Sequence, residues 1–512
     1  MYSAIATAAI HGIGSMIIQV ETDVCSGMPE FEMVGILSSE VREAKARIRS
    51  AIRNTGFSLP PRKVTISLYP ADVRKSGTGF DLPIALSVLA ANGLLDTGKG
   101  AHTLFAGEIT LSGELRPIRG ILPMVLAAKE AGYREVVVPK ENAREACFVK
   151  GITIHPAISL AQVVAWLKGS ESLETASHNN IEETDTGALA DVDFAEINGQ
   201  RLLRRACEVA AAGMHNILMV GPPGSGKTMA ARALPGILPP LKEEEMTELA
   251  KIYSVSGLFE ERKNRLSARP FRSPHYSITR TALVGGGRAP SPGEISLAHK
   301  GILFLDELTE YEKPVLEQLR QPLEERQIQL VRNSGSYSYP ADFMLVTALN
   351  PCSCGYYPDR EKCTCTRGDV RRHLAKISRP LLDRMDIFVE APKLHLTDLE
   401  KPGKNESSAE IRRRVQRAHE LQKQRYQGES FFYNSRIPSE RIDSYCPMEQ
   451  EAKRQLSKAF EELDLSARAY YRLIRVARTI ADLAESPKIQ GNHMREALLY
   501  RSMDDVLWRR GV

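Results

Sequence analysis

Apolar residues along the chain form runs of two kinds, and their order divides the sequence. In the first third, short apolar runs typical of strands alternate with longer apolar stretches typical of helices. The strand-like runs are VTISLYPADV, REVVVP and ITIHP, and the helix-like stretches are PIALSVLAANGLL and PMVLAAKEAG. The start, MYSAIATAAIHGIG, is apolar but lacks the basic residues of a signal peptide, so it predicts a buried first strand.

The pattern changes three times further along the chain. From Gly169 to about Asp191 the sequence is polar, acidic and aperiodic, which predicts a flexible linker. Strands then alternate with helices, as in a parallel α/β sheet, until about Leu394. Beyond it, stretches such as SARAYYRLIRVARTIADLA carry apolar residues at helical spacing. The predicted divisions are an N-terminal α+β domain (1–168), a linker (169–191), an α/β core (192–394) and a helical C-terminal domain (395–512).

Length and composition set the broad class. At ~150 residues per domain, 512 residues predict about three domains, and 43% hydrophobic with 26% charged residues is an ordinary globular composition. The 68 basic and 63 acidic residues give a net charge of +5, which is compatible with nucleic-acid binding but does not argue for it. No apolar run reaches the ~18 residues of a membrane helix, and we expect a cytoplasmic protein.

A short apolar run, NILMV, leads directly into a glycine-rich loop and then into a helix-like stretch, TMAARALPGIL. This is the context that a true G-x-x-x-x-G-K-T phosphate loop requires. Glycines let backbone N–H groups turn inward around phosphates, next to the positive end of a helix. The sequence therefore predicts an ATP site, in which Lys227 contacts the β- and γ-phosphates and the Thr228 hydroxyl binds Mg²⁺. The loop is Gly221-Pro222-Pro223-Gly224-Ser225-Gly226-Lys227-Thr228.

Two later strands end in polar residues that would complete this site. GILFLDE places Asp306 and Glu307 at the end of an apolar strand. A carboxylate there can hold the metal, and its neighbour can orient or deprotonate the attacking water. FMLVTALN ends in Asn350, which would lie beside the γ-phosphate if the strands pair side by side.

Longer strings around these motifs resemble the magnesium-chelatase-like AAA+ proteins of the ComM/YifB type. The strings are AAAGMHNILMVGPPGSGKT, RPFRSPHYSI, ALVGGGRAPSPGEISLAHKGILFLDE, NPCSCGYY and SRPLLDRMD. The resemblance covers nearly the whole chain and implies an AAA+ parallel-sheet core with a C-terminal helical lid. It also implies that Asn350 is the sensor of the attacking water, Arg384 an arginine finger for the neighbouring subunit, and Arg468 the second sensor. A finger supplied across an interface implies a homo-oligomeric ring, for which we expect a hexamer.

Two N-terminal segments resemble the proteolytic domain of Lon-type proteases. They are GEITLSGELRPIRGILPMVLAAKEAGYREVVVPKEN and KSGTGFDLPIALSVLA. Such proteases use a serine nucleophile and a lysine base. The match places Gly79 where the serine should be and Leu122 where the lysine should be, with Lys75 and Ser76 as a shifted alternative. We therefore expect a scaffold or interaction domain without peptidase activity.

Four of the eight cysteines are bunched, in the order C-x-C, eight residues, C-x-C. Four thiolates so close together could form a closed, structural zinc site. Free thiols on a mobile loop and redox-labile pairs are the alternatives. Because Asn350 and Arg384 flank this loop, a metal there would stiffen the link between sensor and finger. The four residues are Cys352, Cys354, Cys363 and Cys365.

Two elements could face the central pore of a ring. One is the insertion ALVGGGRAPSPGEISLAHKG and the other is the predicted hairpin IQLVRNSGSYSYPADF. Basic pore residues would suit sequence-independent contact with a phosphate backbone, and the run IRRRVQRAHELQKQRYQ adds to them. Ordinary solvated charges are the alternative. The candidate pore residues are Arg288, His299, Lys300, Arg332 and Asn333.

Two classes of function follow. The resemblance implies an ATP-driven DNA translocase or branch-migration helicase for homologous recombination during natural transformation, binding branched or single-stranded DNA whatever its sequence. The alternative is a chelatase-like motor that remodels a protein partner and does not bind DNA. Chelatase motors use no Lon-like domain, so the N-terminal half favours the first.

Overall fold

The computed structural model describes residues 1–96, 98–176, 190–262, 265, 267–287, 290–332, 335–359, 361–394, 405–504 and 507–508, without the side chains of residues 502–504. The N-terminal domain has the predicted mixture of strands and helices. Its strands are β1 (Tyr2–His11), β2 (Gly14–Cys25), β3 (Phe31–Val34), β4 (Lys63–Tyr69), β5 (Thr103–Phe105), β6 (Glu108–Ile109), β7 (Leu115–Arg116), β8 (Glu135–Pro139) and β9 (Thr153–Ala157). Its helices are α1 (Ser39–Asn54), α2 (Asp81–Ala91), α3 (Ile121–Glu130), α4 (Ala143–Ala146) and α5 (Leu160–Leu167).

The N-terminal strands form a four-stranded sheet in the order β1-β2-β4-β3, a three-stranded sheet in the order β5-β8-β9 and the pair β6-β7. Alternate residues of β4 (Val64, Ile66 and Leu68) are buried, as expected for a strand with one face in the core. In α1 the buried residues recur at helical spacing and turn toward the same core. The predicted first strand is confirmed as β1, which pairs with β2 along its length.

The predicted linker begins later than its composition indicated. Leu173 is buried, and the amide of Ala176 donates a hydrogen bond of 3.0 Å to the carbonyl of Ile154. Residues 169–176 therefore pack on the N-terminal domain. The rest of the predicted linker, residues 177–189, lies outside the described residues.

The core contains β10 to β18 and α6 to α15. A five-stranded parallel sheet has the order β11-β14-β17-β10-β18. Its strands β10, β14 and β17 are buried at every residue, which explains their uninterrupted apolar sequences. Because the strands are parallel, their carboxyl ends meet at one edge of the sheet.

The strands of the core are β10 (Ile217–Val220), β11 (Phe271–Arg272), β12 (Gly285–Gly286), β13 (Ser291–Pro292), β14 (Ile302–Leu305), β15 (Gln327–Arg332), β16 (Gly335–Pro340), β17 (Met344–Leu349) and β18 (Ile387–Glu390). Its helices are α6 (Arg201–Gly213), α7 (Lys227–Ala233), α8 (Glu243–Ser256), α9 (Phe259–Arg262), α10 (Arg280–Val284), α11 (Glu294–Leu297), α12 (Lys313–Leu316), α13 (Arg320–Glu325), α14 (Arg367–Leu374) and α15 (Arg379–Leu382).

The C-terminal region is helical, as predicted. One hydrophobic cluster joins Ala206 of α6 and Ile387 of β18 with Val415 and Ile480 of the C-terminal helices. The lid therefore packs directly on the sheet that carries the phosphate loop. Among the described residues, no helix combines the length and the apolar character needed to cross a membrane. The C-terminal helices are α16 (Ser408–Arg425), α17 (Ile442–Tyr445), α18 (Gln450–Glu462), α19 (Ala467–Leu483) and α20 (Gly491–Asp504).

The N-terminal domain contacts the core through α3 and α8. The amide of Gly120, just before α3, donates a 3.0 Å hydrogen bond to the carbonyl of Ser254 in α8. Ala250 and Phe259 of the core belong to the same hydrophobic cluster as Leu122 and Val125 of α3. The interface is therefore built from apolar side chains supported by a backbone hydrogen bond.

Candidate nucleotide-binding site

The phosphate loop connects β10 to α7 at the carboxyl edge of the sheet. A Cβ atom at Gly221 would lie 2.1 Å from the carbonyl oxygen of Ala391, so only glycine fits there. Gly224 and Gly226 have φ angles of +75° and +87°, in the left-handed region that glycine adopts without strain. The loop therefore has the backbone conformation that its glycines predicted.

Lys227 is buried at the start of α7. Its ammonium donates hydrogen bonds of 2.7 Å to the carbonyl of Gly221 and 2.8 Å to that of Pro222, and lies 3.3 Å from Oδ1 of Asn350. Burial lowers the pKa of Lys227 to about 8, although the charges of Asp306 and Glu307 oppose that shift. The predicted phosphate-binding cation and the predicted sensor amide are thus brought together.

The residues predicted to hold Mg²⁺ also meet. The Thr228 hydroxyl donates a 2.7 Å hydrogen bond to Oδ2 of Asp306, and the other carboxylate oxygen accepts the amide of Glu307 at 2.9 Å. A hydroxyl and a carboxylate are hard oxygen ligands, which Mg²⁺ prefers, so the pair fits that metal. Glu307 is exposed and has a φ angle of +50°, a conformation that is uncommon outside glycine and recurs at functional sites.

His373 supports this edge of the sheet and was missed by sequence reasoning. Its Nε2 atom lies 3.1 Å from the carbonyl oxygen of Asn350 and 3.2 Å from the Thr309 hydroxyl. It therefore ties the end of β17 to the turn that follows Glu307. Burial lowers the pKa of His373, which favours the neutral ring. A single histidine 23 residues beyond Asn350 carries no spacing signal that would have revealed this contact.

Arg384 and Arg468 form a second group, around Glu324 of α13. Arg384 is buried, its Nη2 atom lies 2.6 Å from the Glu324 carboxylate, and its Nε donates to the carbonyl of Arg320 at 3.1 Å. Arg468, at the start of α19, binds the same carboxylate. Arg472, one turn further along α19, reaches the carbonyl of Met385 at 3.1 Å. The roles of Arg384 and Arg468 toward a neighbouring subunit stay predictions.

Three stretches of the chain match family models. Residues 193–399 match "magnesium chelatase, subunit ChlI", residues 20–142 match "subunit ChlI of Mg-chelatase" and residues 405–501 match "magnesium chelatase, subunit ChlI C-terminal". The competence protein ComM of Haemophilus influenzae is 40% identical over 503 residues, which cover 98% of this chain and 97% of that protein. The chain belongs to the ComM/YifB-type magnesium-chelatase-like AAA+ family.

Other relatives agree with this assignment. The uncharacterized protein YifB of Salmonella typhimurium is 41% identical over 508 residues, 98% of this chain and 97% of that protein. Lon protease 1 of Hydrogenovibrio crunogenus is 26% identical over 191 residues, 35% of this chain and 23% of that protease. The expected α/β architecture, an AAA+ core with a helical C-terminal region and a Lon-like N-terminal domain, is therefore confirmed.

The Lon-like domain has no serine–lysine pair at the matched positions. A Cβ atom at Gly79 would lie 3.0 Å from Cδ1 of Ile118, and Leu122 is fully buried in the cluster shared with the core. In the shifted alternative, Lys75 is buried with its ammonium bonded to the carbonyl of Pro70, and Ser76 is exposed. At the two positions matched to the catalytic serine and lysine, the chain therefore has residues that pack against neighbouring side chains.

The insertion predicted to present His299 and Lys300 to a pore does not do so, and that expectation is wrong. His299 is 2% exposed and its Nε2 atom lies 3.1 Å from the Glu248 carboxylate. Lys300 forms an ion pair of 3.2 Å with Asp342. The predicted hairpin is confirmed as β15-β16, with Arg332 exposed at its end. Arg288 and Asn333 lie outside the described residues.

The basic run in α16 is largely satisfied within the chain. Arg414 contacts Glu208 at 2.5 Å, and Arg425 contacts Asp482 at 2.5 Å. Arg412 donates to the carbonyl of Gly236 at 2.8 Å. Arg412 and Arg414 join the lid to the core, and Arg425 joins two helices of the lid. The run therefore gives less support to nucleic-acid binding than its sequence indicated.

The four bunched cysteines come together. Their Sγ atoms all lie within 4.8 Å of one another, and Cys352 and Cys363 are buried. The cluster lies just beyond Asn350, between β17 and α14. The predicted metal-ligand set is therefore assembled in space.

Proposed function

We propose that this chain is the ATP-hydrolysing subunit of a ring-forming DNA motor, a branch-migration helicase or translocase for homologous recombination during natural transformation. The observation that carries the proposal is the convergence of Lys227, Thr228, Asp306 and Asn350 at one edge of the sheet. It occurs in a chain that is 40% identical to a competence protein over nearly its whole length.

In this proposal each residue at the sheet edge has one task. Lys227 holds the β- and γ-phosphates, and the oxygen atoms of Thr228 and Asp306 hold Mg²⁺. When bound, Mg²⁺ neutralises charge that develops on the phosphates. Glu307 orients and deprotonates the attacking water, and Asn350 keeps that water in line.

The proposed ring rests on Arg384. Its guanidinium contacts Glu324 and the carbonyl of Arg320, both in α13, and the carbonyl of Pro380 in α15. We propose that it serves the nucleotide of a neighbouring subunit, together with Arg468. An arginine supplied in this way stabilises the charge of the transition state and makes hydrolysis depend on assembly.

DNA is the proposed substrate of the motor. The β15-β16 hairpin presents Arg332 and the 76% exposed side chain of Val331 to solvent. An exposed cation at the end of a hairpin suits contact with a phosphate backbone. A relative whose name links it to competence supports the same choice.

A chelatase-like motor that remodels a protein and does not bind DNA is the second candidate. Two observations favour it: the chain matches family models of a magnesium chelatase subunit, and the arginines of α16 bind within the chain. The 40% identity to a competence protein over nearly the whole chain favours the DNA motor.

The two candidates are separated by measuring ATP hydrolysis and particle mass with and without four-way-junction DNA. We expect the junction DNA to stimulate ATP hydrolysis and to promote the assembly of rings. Glu307→Gln should assemble but hydrolyse ATP roughly 10²–10⁴-fold more slowly. The matched control is Glu310→Gln, which removes a neighbouring exposed carboxylate. If junction DNA changes neither hydrolysis nor assembly, the DNA motor is wrong and the chelatase-like function is favoured.

A further inference from the structure

The cysteine cluster has the dimensions of a tetrahedral metal site. The Sγ atom of Cys352 lies 3.3 Å from that of Cys354 and 3.8 Å from that of Cys363, and Cys354 lies 3.6 Å from Cys363. Zinc with Zn–S bonds of about 2.3 Å separates its ligands by about 3.8 Å. Cys365 completes the set, since all four sulfur atoms lie within 4.8 Å. These distances are too long for disulfides, and none of the four cysteines forms one.

The loop that carries these thiols packs against the phosphate loop. A Cβ atom at Gly355 would lie 2.6 Å from Cδ and 2.9 Å from Cγ of Pro223. The backbone of the cysteine loop therefore lies directly on the proline ring. Any movement of Gly355 would change the space available to Pro223.

The same loop is also joined to the end of β17, where Asn350 lies. It begins at Asn350, and α14, which follows Cys365, returns His373 to the carbonyl of Asn350 at 3.1 Å. In the described part of residues 350–366 the backbone forms turns without a helix or strand. A loop of this length without a ladder of backbone hydrogen bonds needs another source of rigidity, which a bound metal would supply.

We propose that the four cysteines bind one Zn²⁺ and that the zinc-held loop clamps the phosphate loop through the contact between Gly355 and Pro223. The clamp also fixes the position of Asn350, so nucleotide affinity depends on a metal that never contacts the nucleotide. This inference rests on the proposed nucleotide site. It assigns to zinc a positioning role and not a catalytic one.

The metal is tested on the full-length protein by mass-spectrometric metal analysis and thiol titration. We expect one zinc per chain, lost in Cys352→Ser/Cys363→Ser and retained in Cys25→Ser, which alters an exposed cysteine outside the cluster. Because the double variant is open to misfolding, wild-type protein is also treated with a zinc chelator and then given Zn²⁺ alone. Metal-free native protein, with free or disulfide-bonded thiols, would overturn the zinc site.

The clamp is tested by the affinity for a fluorescent ATP analogue. Gly355→Ala is compared with Gly428→Ala, because both glycines have a φ angle of +87° but only Gly355 has a neighbour within 4 Å. We expect Gly355→Ala to keep zinc and bind about tenfold more weakly, and Gly428→Ala to stay within about twofold of wild type. Chelation should weaken wild-type binding similarly, and Zn²⁺ should restore it.

The outcomes distinguish this inference from the function on which it rests. Equal affinities for Gly355→Ala and Gly428→Ala, with zinc bound in both, would overturn the clamp. A zinc-loaded wild-type protein that binds no nucleotide would contradict the proposed function itself.

Discussion

The nucleotide site and the Lon-like domain each contain a buried lysine, and their surroundings differ. Lys227 and Lys75 both donate to carbonyl oxygens of their own loops, and burial lowers the pKa of each. Around Lys227 the structure gathers a hydroxyl, a carboxylate and an amide. In the domain that contains Lys75, the position matched to the protease nucleophile is Gly79 and the position matched to the base is Leu122.

The difference shows that a buried lysine with a lowered pKa does not by itself make an active site. An active site also needs neighbouring side chains that converge to bind a substrate or to share a proton. In the N-terminal domain the position of the protease base has become part of an interface. Leu122 lies in one apolar cluster with Ala250 and Phe259 of the core. The Lon-like domain thus packs on the core at the position matched to the protease base.

The largest expected effect concerns Arg384, the proposed arginine finger. We expect Arg384→Ala to lower ATP turnover by roughly 10³-fold or more, with nucleotide binding retained, because a finger acts on the transition state of a neighbour. Steady-state hydrolysis and equilibrium binding separate the two quantities. The control is Arg320→Ala, since Arg384 bonds only the backbone carbonyl of that residue.

Glu324→Gln tests whether Arg384 matters only through its ion pair within the chain. This change removes the charge that holds both Arg384 and Arg468, with little change of shape. If Glu324→Gln lowers turnover as much as Arg384→Ala does, the arginine is structural and the finger assignment is wrong.

The two lysines can be compared directly. We expect Lys227→Ala to weaken ATP binding on the order of 100-fold, the equivalent of two charge-assisted hydrogen bonds at about 1.5 kcal/mol each. Lys75→Ala should leave that affinity unchanged and lower only the unfolding temperature. Fluorescent-nucleotide titration and thermal unfolding of both variants provide the measurement. An equal loss of affinity in the two variants would contradict the contrast drawn between the sites.

Sequence and resemblance predicted the architecture, and they named residues of the candidate nucleotide site that the structure brings together. Lys227, Thr228 and Asp306 belong to short motifs whose spacing is set by one strand and one turn. The contacts of His373 and of Glu324 could not be predicted, because they join segments far apart in the chain. His299 and Lys300 were misassigned because loop composition does not show burial, and Glu248 and Asp342 lie elsewhere in the sequence.

The smallest expected effect is a dependence of ATP affinity on pH. Burial sets the pKa of Lys227 at about 8 in the nucleotide-free chain, so above pH 8 the free site loses its positive charge. Bound phosphates favour the protonated lysine and raise its pKa. Binding then takes up a proton, and affinity falls about tenfold per pH unit between the two pKa values. Calorimetry in buffers of different ionisation enthalpy measures both affinity and proton uptake. Lys227→Arg, which stays charged throughout, should bind without this dependence. A wild-type affinity that is constant from pH 7 to about 9.5 would show that Lys227 does not titrate in this range.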